Sequence, residues 1–582
     1  MTELEKAEGL YENGEYEKAA MIFKKCADSG DAQAQDYLAA CYYSGKGIEQ
    51  DYEKAVKWSR LAAKNGIAAA VNRLGNCSYY GYGVPQSFEE AVEYYTIAAT
   101  QGYAAAKYNL AECYHYGEGV PQDYKKAYEW YCRAAEQGYI KAVHNVGAFY
   151  YYGYGVPKDY AEAVKWFTRG AELGFASSMD SLGDCYYDGD GVPQDYEQAV
   201  KWYRLSAEQG YAPSQYSLGY CYYYGDGVPQ DYEQALKWYR LSAEQGYNKA
   251  QYKIGNCYFY GKGVPQDYAE AVKWFTLAAN SGYYRAWNDL GVCYFNGYGV
   301  ETDYEQAVKC YKVAAENGSV FAQLNLGNCY LDGDGVEENP VEAVKWFSVA
   351  AEQGNEEAQF ILGVFYSIGH GVDKNLAEAA SLYRKAAEQG HAAAQYALGD
   401  CYNNGEGVDK DCAEAVKWYT AAAENGHLKA QLYLAHCLEN GQGVAKDSEK
   451  AVYWYRKAAE QGDSFAQGCL AECYYEGDGV PQDYKQAVKW FTLSAKQGEP
   501  HSQLVLGNCY YNGDGVAKNY KKAAAWFRKA AKAGDDKAMV RLGLCYALGH
   551  GVKQSVYKSI KWFLKAADAG NAEAKERLEE NK

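Results

Sequence analysis

The sequence predicts an all-α solenoid of tandem 36-residue helix-turn-helix units, coiling as a right-handed superhelix. Three observations predict it. A Gly-x-Gly-Val signature, with Ile at 48, starts at glycines 45, 81, 117, 153, 189, 225, 261, 297, 333, 369, 405, 441, 477, 513 and 549, with no insertion or deletion. The stretch GVPQDYEQAVKWYRLSAEQGY, residues 191–211, returns at 227–247 with one change, Val200 becoming Leu236. Between the turns, apolar residues fall at helical spacing twice per period. A period of this size marks stacked repeats in which each unit meets only its neighbours. The 582 residues therefore read as one array.

The opening stretch, residues 1–30, lacks the Gly-x-Gly-Val turn. LYENGEYEKA joins two helices there by a shorter turn at Gly14, as expected of an N-terminal capping hairpin resembling a tetratricopeptide repeat. Fifteen units follow over residues 31–570. In the first helix of the unit turning at Gly261, Ala250, Ile254, Cys257 and Tyr258 form one apolar stripe. In its second helix, Ala271, Val272, Trp274, Phe275, Leu277 and Ala278 form a broader one.

Six residues after each first glycine stands Asp, Asn or Ser, from Asp51 to Ser555, the residue types that cap a helix N-terminus. Gln198, Gln234 and Gln306 follow the caps Asp195, Asp231 and Asp303 at capping-box spacing. Seven units add proline before the cap, at 85, 121, 157, 193, 229, 265 and 481, and Pro340 occupies a first helical position. Glycines from Gly66 to Gly570 end the second helices. Glu197 with Lys201 and Glu233 with Lys237 are expected to pair on the outer face. NAEAKERLEENK, residues 571–582, reads as a C-terminal capping helix covering the last unit through Ala572, Ala574 and Leu578.

The net charge of -18 is spread along the chain, which argues against nucleic acid and anionic membrane surfaces as partners. No stretch approaches the ~20 apolar residues of a membrane span, and the start lacks an export signal, so a cytoplasmic chain is expected. Of 18 cysteines, thirteen share one repeat position, where Phe149 and Phe365 also stand. One cysteine per unit cannot pair within its unit, so this column reads as small buried residues in a reducing compartment.

The combination A-x-Y-x-L-G, C/Y-Y-x-x-G-x-G-V and D-Y-x-x-A-V-x-W-Y/F-x-x-A-A with a closing glycine resembles the Sel-one-like repeat family, relatives of the tetratricopeptide repeats, over residues 31–570. The resemblance implies a scaffold or adaptor whose first helices line a concave groove. Some cysteine-rich members are described as β-lactamases, but this chain has neither their paired cysteines nor a serine-lysine pair at fixed spacing. The eight histidines are scattered and lie in no metal-binding motif, and Cys469 and Cys473, one helical turn apart, lack further ligands nearby. The Gly-Lys-Gly turns at 45–47 and 261–263 lack phosphate-loop spacing, and their middle residue is expected to be exposed. No catalytic residue, cofactor or metal site is expected.

Binding residues are sought on the first helices. With the core leucine seven before the first glycine at zero, positions nine, five and two before it fall at about 160°, 200° and 140°, away from the core. Two before the glycine stand Tyr43, Tyr79, His115, Tyr151, Tyr187, Tyr223, Phe259 and Phe295, then Leu331, Ser367, Asn403 and Glu439, before Tyr475 and Tyr511. The next position adds Tyr80, Tyr116, Tyr152, Tyr224 and Tyr260. Nine before the glycine come Tyr108, Tyr216 and Tyr252, and five before it Asn76, Glu112, Asp184 and Asn256. This tyrosine wall with acidic groups is expected to hold a peptide or partner helix on a monomer, with a basic segment favoured. Stacking on sugar rings is the alternative use, and packing between neighbouring hairpins the structural one.

Overall fold

The computed structural model describes residues 2–579, which hold 33 helices and no strand. The chain forms two compact units, Met1–Thr302 and Asp303–Lys582. The sequence reads as one array because the signature runs in phase through residue 302, so periodicity leaves no trace of the division. Within each unit, helical hairpins follow one another, and each is named below by its first turn glycine.

The Gly225 hairpin shows how the sequence makes them. Its first helix, Ala212–Tyr224, stops at Gly225 (φ 85°), whose N–H donates to the Cys221 carbonyl at 2.8 Å. Its second helix, Tyr232–Glu244, starts at Asp231, whose carboxylate accepts the Gln234 N–H at 3.0 Å. Gly227 (φ 70°) does two things at once: it takes a left-handed turn, and it lies so close to the preceding hairpin that a Cβ would run into the Tyr196 carbonyl. All fifteen caps from Asp51 to Ser555 accept a backbone N–H within the first turn of the second helix.

The core is small residues around a large ring from the second helix, present in every hairpin but that of Gly45, where Ser59 stands. Ala250, Ile254 and Cys257 are buried, as are Ala271, Val272, Phe275 and Ala278, while Trp274 is half-buried. Phe149 and Phe365 are buried in the cysteine column, whose thiols burial pushes up, to about 11 at Cys77 and about 12 at Cys257. All 18 cysteines are free, and raised thiol pKa values keep the column in its protonated packing form.

Four expectations need correction. The capping boxes are half made: Asp195 and Asp231 accept from Gln198 and Gln234, but their own N–H groups already donate to the Tyr186 and Tyr222 carbonyls at 2.8 Å. Glu197–Lys201 and Glu233–Lys237 do not pair; elsewhere a Glu at the third helical position reaches a Lys three residues on, as in Glu162–Lys165 and Glu342–Lys345 at 2.6 Å. Leu277 is exposed because the broad apolar stripe extends past the hairpin's own core. The middle residue of the Gly-x-Gly turn is exposed at Lys46, as expected, but half-buried at Lys262, Asp190 and Asp226, where it packs onto the preceding hairpin as described below.

The opening helices Glu3–Glu12 and Tyr16–Asp28 form the shorter-turned hairpin, with Gly14 at φ 80°. In the last helix, Ala572–Glu579, Ala574 is buried and Leu578 half-buried, whereas Ala572 is exposed; residues 580–582 of the expected 571–582 segment lie outside the described residues.

Candidate binding face

The tyrosines two before the glycine stand between hairpins. These rings meet the aromatic residue that opens their own second helix, edge to face for Tyr79 with Phe88 at 5.1 Å, Tyr151 with Tyr160 at 4.9 Å and Phe259 with Tyr268 at 5.0 Å, and tilted for Tyr187 with Tyr196 at 4.9 Å. The middle residue of the next hairpin's turn closes the clasp. Tyr151 and Tyr187 donate to the Asp190 and Asp226 carboxylates at 2.7 Å, and Tyr79 donates to Glu118. Where that middle residue is a ring it stacks on the helix-opening one, Tyr82 on Tyr52 at 4.4 Å and Tyr298 on Tyr268 at 4.9 Å; where it is Lys262, its ammonium lies 5.1 Å from the Tyr232 ring centre.

The fading of this column at Leu331, Ser367, Asn403 and Glu439 now has a structural correlate. The helix-opening position loses its ring in the same hairpins, as Pro340, Leu376, Cys412 and Ser448, and regains it at Tyr484 and Tyr520 with Tyr475 and Tyr511. Rings that touch come and go together. Tyr43, Tyr79, His115, Tyr151, Tyr187, Tyr223, Phe259 and Phe295 are accordingly half-buried.

Columns nine and five before the glycine are also less open than their angles imply, because neighbouring hairpins cover the flanks of each first helix. Tyr108, Tyr216 and Tyr252 wedge against Tyr139, Tyr247 and Tyr283 at 5.1, 5.5 and 4.8 Å. Asn76 and Asp184 accept from the second-helix hydroxyls of Tyr95 at 2.9 Å and Tyr203 at 2.7 Å. Glu112 accepts from Tyr131, and from Asn145 at 3.0 Å, while Asn256 lies against Tyr252. His115 stacks on Tyr116 at 4.5 Å, and burial depresses its pKa against the opposing pull of Glu112.

The column immediately before the glycine is different. Tyr80, Tyr116, Tyr152, Tyr224 and Tyr260 are 48–62 % exposed. Their rings lean on aromatic neighbours, Tyr80 on Tyr82 at 5.3 Å and Tyr152 on Tyr154 at 5.5 Å, and leave the rest of their surface to solvent.

Sequence reasoning missed Asp180, one helical turn before Asp184. Ser214 donates to Asp180 at 2.6 Å. Burial and then the charge of Asp184 push Asp180 well above the usual carboxylate range; burial raises Asp184 as well, against the Tyr203 hydrogen bond and the Lys249 charge. The signal was present, since Asp180 occupies the column read above for tyrosines alone. Lys253 and Tyr220 were also missed, both being departures from what their columns usually carry. Among the described residues, no group of three or more His, Cys, Asp or Glu converges as metal ligands would, and no helix is long and apolar enough to cross a membrane.

The face offers rings and hydrogen-bonding hydroxyls. The Sel1 repeat model matches fifteen segments, from 32–67 to 536–571. The crystal structure of c5321, a protective antigen of uropathogenic Escherichia coli strains displaying an SLR fold, is 38% identical over 72% of this chain and 92% of its own, with TM-score 0.56. A Sel1 repeat protein from Oxalobacter formigenes is 34% identical over 52% of this chain and 88% of its own, with TM-score 0.43. No protein with a curated description matches. Fifteen in-phase matches across residues 32–571 place the chain in the Sel1 repeat family, whose members generally serve as protein-interaction scaffolds rather than catalysts.

Proposed function

We propose that this chain is a non-enzymatic scaffold that holds a basic peptide segment or partner helix along the tyrosine face of residues 79–295. The observation that carries the reading is the exposed column Tyr80, Tyr116, Tyr152, Tyr224 and Tyr260. These rings are 48–62 % exposed, and they recur at one position of five hairpins. Tyrosine gives a binding surface contact area and a hydroxyl while losing little side-chain freedom.

Charge supports a basic ligand. Glu118, Asp188, Asp190 and Asp226 lie on or beside the same turns, and the chain carries a net charge of -18. Rings flanked by carboxylates suit Lys and Arg, whose cations sit on aromatic faces while their charge is balanced from the side.

The half-buried rings and acids of the other columns hold the hairpins in register beneath the exposed column. Tyr151, Tyr187 and Tyr223 are therefore poor positions at which to test binding, since truncating them opens the clasps. The informative variant is Y80A/Y116A/Y152A. Pull-down followed by mass spectrometry should lose the partner with this variant while its circular dichroism and melting stay at wild-type values. Retained capture of every wild-type partner would refute the proposal.

A further inference from the structure

The Gly225 hairpin departs from its neighbours at one spot. Five before the glycine, where hairpins on either side carry Asp184 and Asn256, stands Tyr220. Its ring packs on Tyr224 at 4.4 Å. With Tyr223 these rings surround the ammonium of Lys253 from the next first helix: Nζ lies 5.0, 5.7 and 5.3 Å from the centres of Tyr220, Tyr223 and Tyr224, and 3.4 Å from the Tyr224 hydroxyl. No carboxylate pairs with this ammonium. The same position holds Asn109, Asn145, Ser181, Ser217 and Asp289 in the nearer hairpins of this unit, and where it holds another cation, Arg73, that cation pairs with the Asp36 carboxylate at 2.6 Å, as Lys253 does not.

The departure has a structural cost. The second-helix hydroxyls of Tyr95, Tyr131 and Tyr203 all donate to the residue that Tyr220 replaces. Tyr239, the equivalent in this hairpin, is therefore buried with no hydrogen-bond partner for its hydroxyl, and it lies among Tyr216, Tyr223 and Tyr224. A buried hydroxyl without a partner is expensive, and such local departures mark functional positions.

We propose that Tyr220, Tyr223 and Tyr224 form an alkylammonium subsite of the tyrosine face, filled in the free protein by Lys253 and taken over by a lysine side chain of the bound segment. The inference rests on the face reading above and adds its chemistry: three ring faces and a hydroxyl around one point suit a primary ammonium on a flexible stem. Lys253 is tethered through its own four-carbon stem, so it can withdraw without a change in either helix. It also makes the subsite selective, because only a ligand that supplies a cation in its place restores the lost contact.

The test uses the full chain labelled with 3-fluorotyrosine and titrated with N-acetyl-lysine methylamide, followed by fluorine NMR. K253A should bind this probe about tenfold more tightly than wild type, with shifts that vanish in K253A/Y220A. The uncharged norleucine analogue should show no such gain. Equal affinity of wild type and K253A, or an equal gain for norleucine, overturns the subsite. So does a large fall in the melting temperature of K253A, which would make Lys253 a strut. A decapeptide alternating lysine and serine separates the two readings: binding to wild type with no gain in K253A sinks the subsite and leaves the face, whereas a subsite that opens to the small probe while Y80A/Y116A/Y152A captures every partner sinks the face alone.

Discussion

The unit Met1–Thr302 and the unit Asp303–Lys582 use the same hairpin and differ in what they place on it. Both have left-handed turn glycines, capped second helices and a buried cysteine column. At the position before the turn glycine, the first unit carries five exposed tyrosines, while the second has Asp332, Ile368, Asn404, Asn440, Glu476, Asn512 and Leu548. The starts of most first helices differ as well, with Asp31 of the first unit, which caps through its side chain, and Glu499 of the second, which does not, as exceptions. In the second unit Ser319, Asn355, His391, His427, Asp463 and Asp535 each cap the helix through a side chain. In the first, Ile67, Tyr103, Tyr139, Phe175, Tyr211 and Tyr247 stand there without a side-chain cap. An N-cap is worth about 1 kcal/mol, so the first unit gives up polar stabilisation repeatedly and gains ring contacts such as Tyr139 on Tyr108. The common columns build the stack; of the columns that differ between units, those two before the glycine and at the helix start pack between hairpins, and the column just before the glycine stays exposed.

Damage to the shared part should be largest and equal in both units. Gly227 and Gly407 combine positive φ with a Cβ position occupied by a carbonyl of the preceding hairpin, Tyr196 and Leu376 respectively. G227A and G407A should each cost about 3 kcal/mol or more in urea denaturation. A large loss in only one would break the equivalence of the two scaffolds.

Next in size is a pH effect at Asp180 and Asp184 in the first unit. Folding raises the Asp180 and Asp184 pKa values above the unfolded value of about 3.9, so the native state holds the extra protons. Their stabilising contribution is full below about pH 4 and is lost as pH rises through the pair's raised native values. D180N should therefore raise stability by about 1–3 kcal/mol at pH 8 and change it little near pH 4, as read from melting curves at both pH values. A variant with the same effect at both would exclude the carboxylate as the cause.

Smaller still is the clasp hydroxyl. Y187F removes the bond to Asp226 and Y475F the bond to Asp514, at 2.7 and 3.3 Å. Each should cost about 0.5–1.5 kcal/mol, with the shorter bond the more costly. No loss in either would mean that the rings alone hold adjacent hairpins together.

The sequence made the repeating part legible and the lateral part obscure, for a physical reason. Caps, glycine stops and the core stripe depend on residues within one hairpin, so Asp231, Gly246 and Cys257 could be read from local spacing. The clasp joins residues 39 apart, such as Tyr151 and Asp190, so the middle turn residue read as exposed and Tyr151 read as open. A helical wheel sees one helix and its own core, whereas a stack also covers the flanks. Joint variation of Tyr151 with Tyr160, and of Leu331 with Pro340, was the available signal. It explains why the column two before the glycine fades and returns, and it leaves the exposed column before the glycine as the one whose restriction to the first unit packing does not require.

The smallest expected effect on stability is therefore paired with the largest on binding, and that pairing tests the central claim most directly. Melting temperature and partner capture should be measured side by side for Y80A/Y116A/Y152A in the first unit and Y475A/Y511A in the second. The first variant should melt within about 0.5 kcal/mol per site of wild type and lose its partner; the second should be destabilised and keep it. Full capture by the first variant, or loss of capture by the second while it remains folded, would contradict the account.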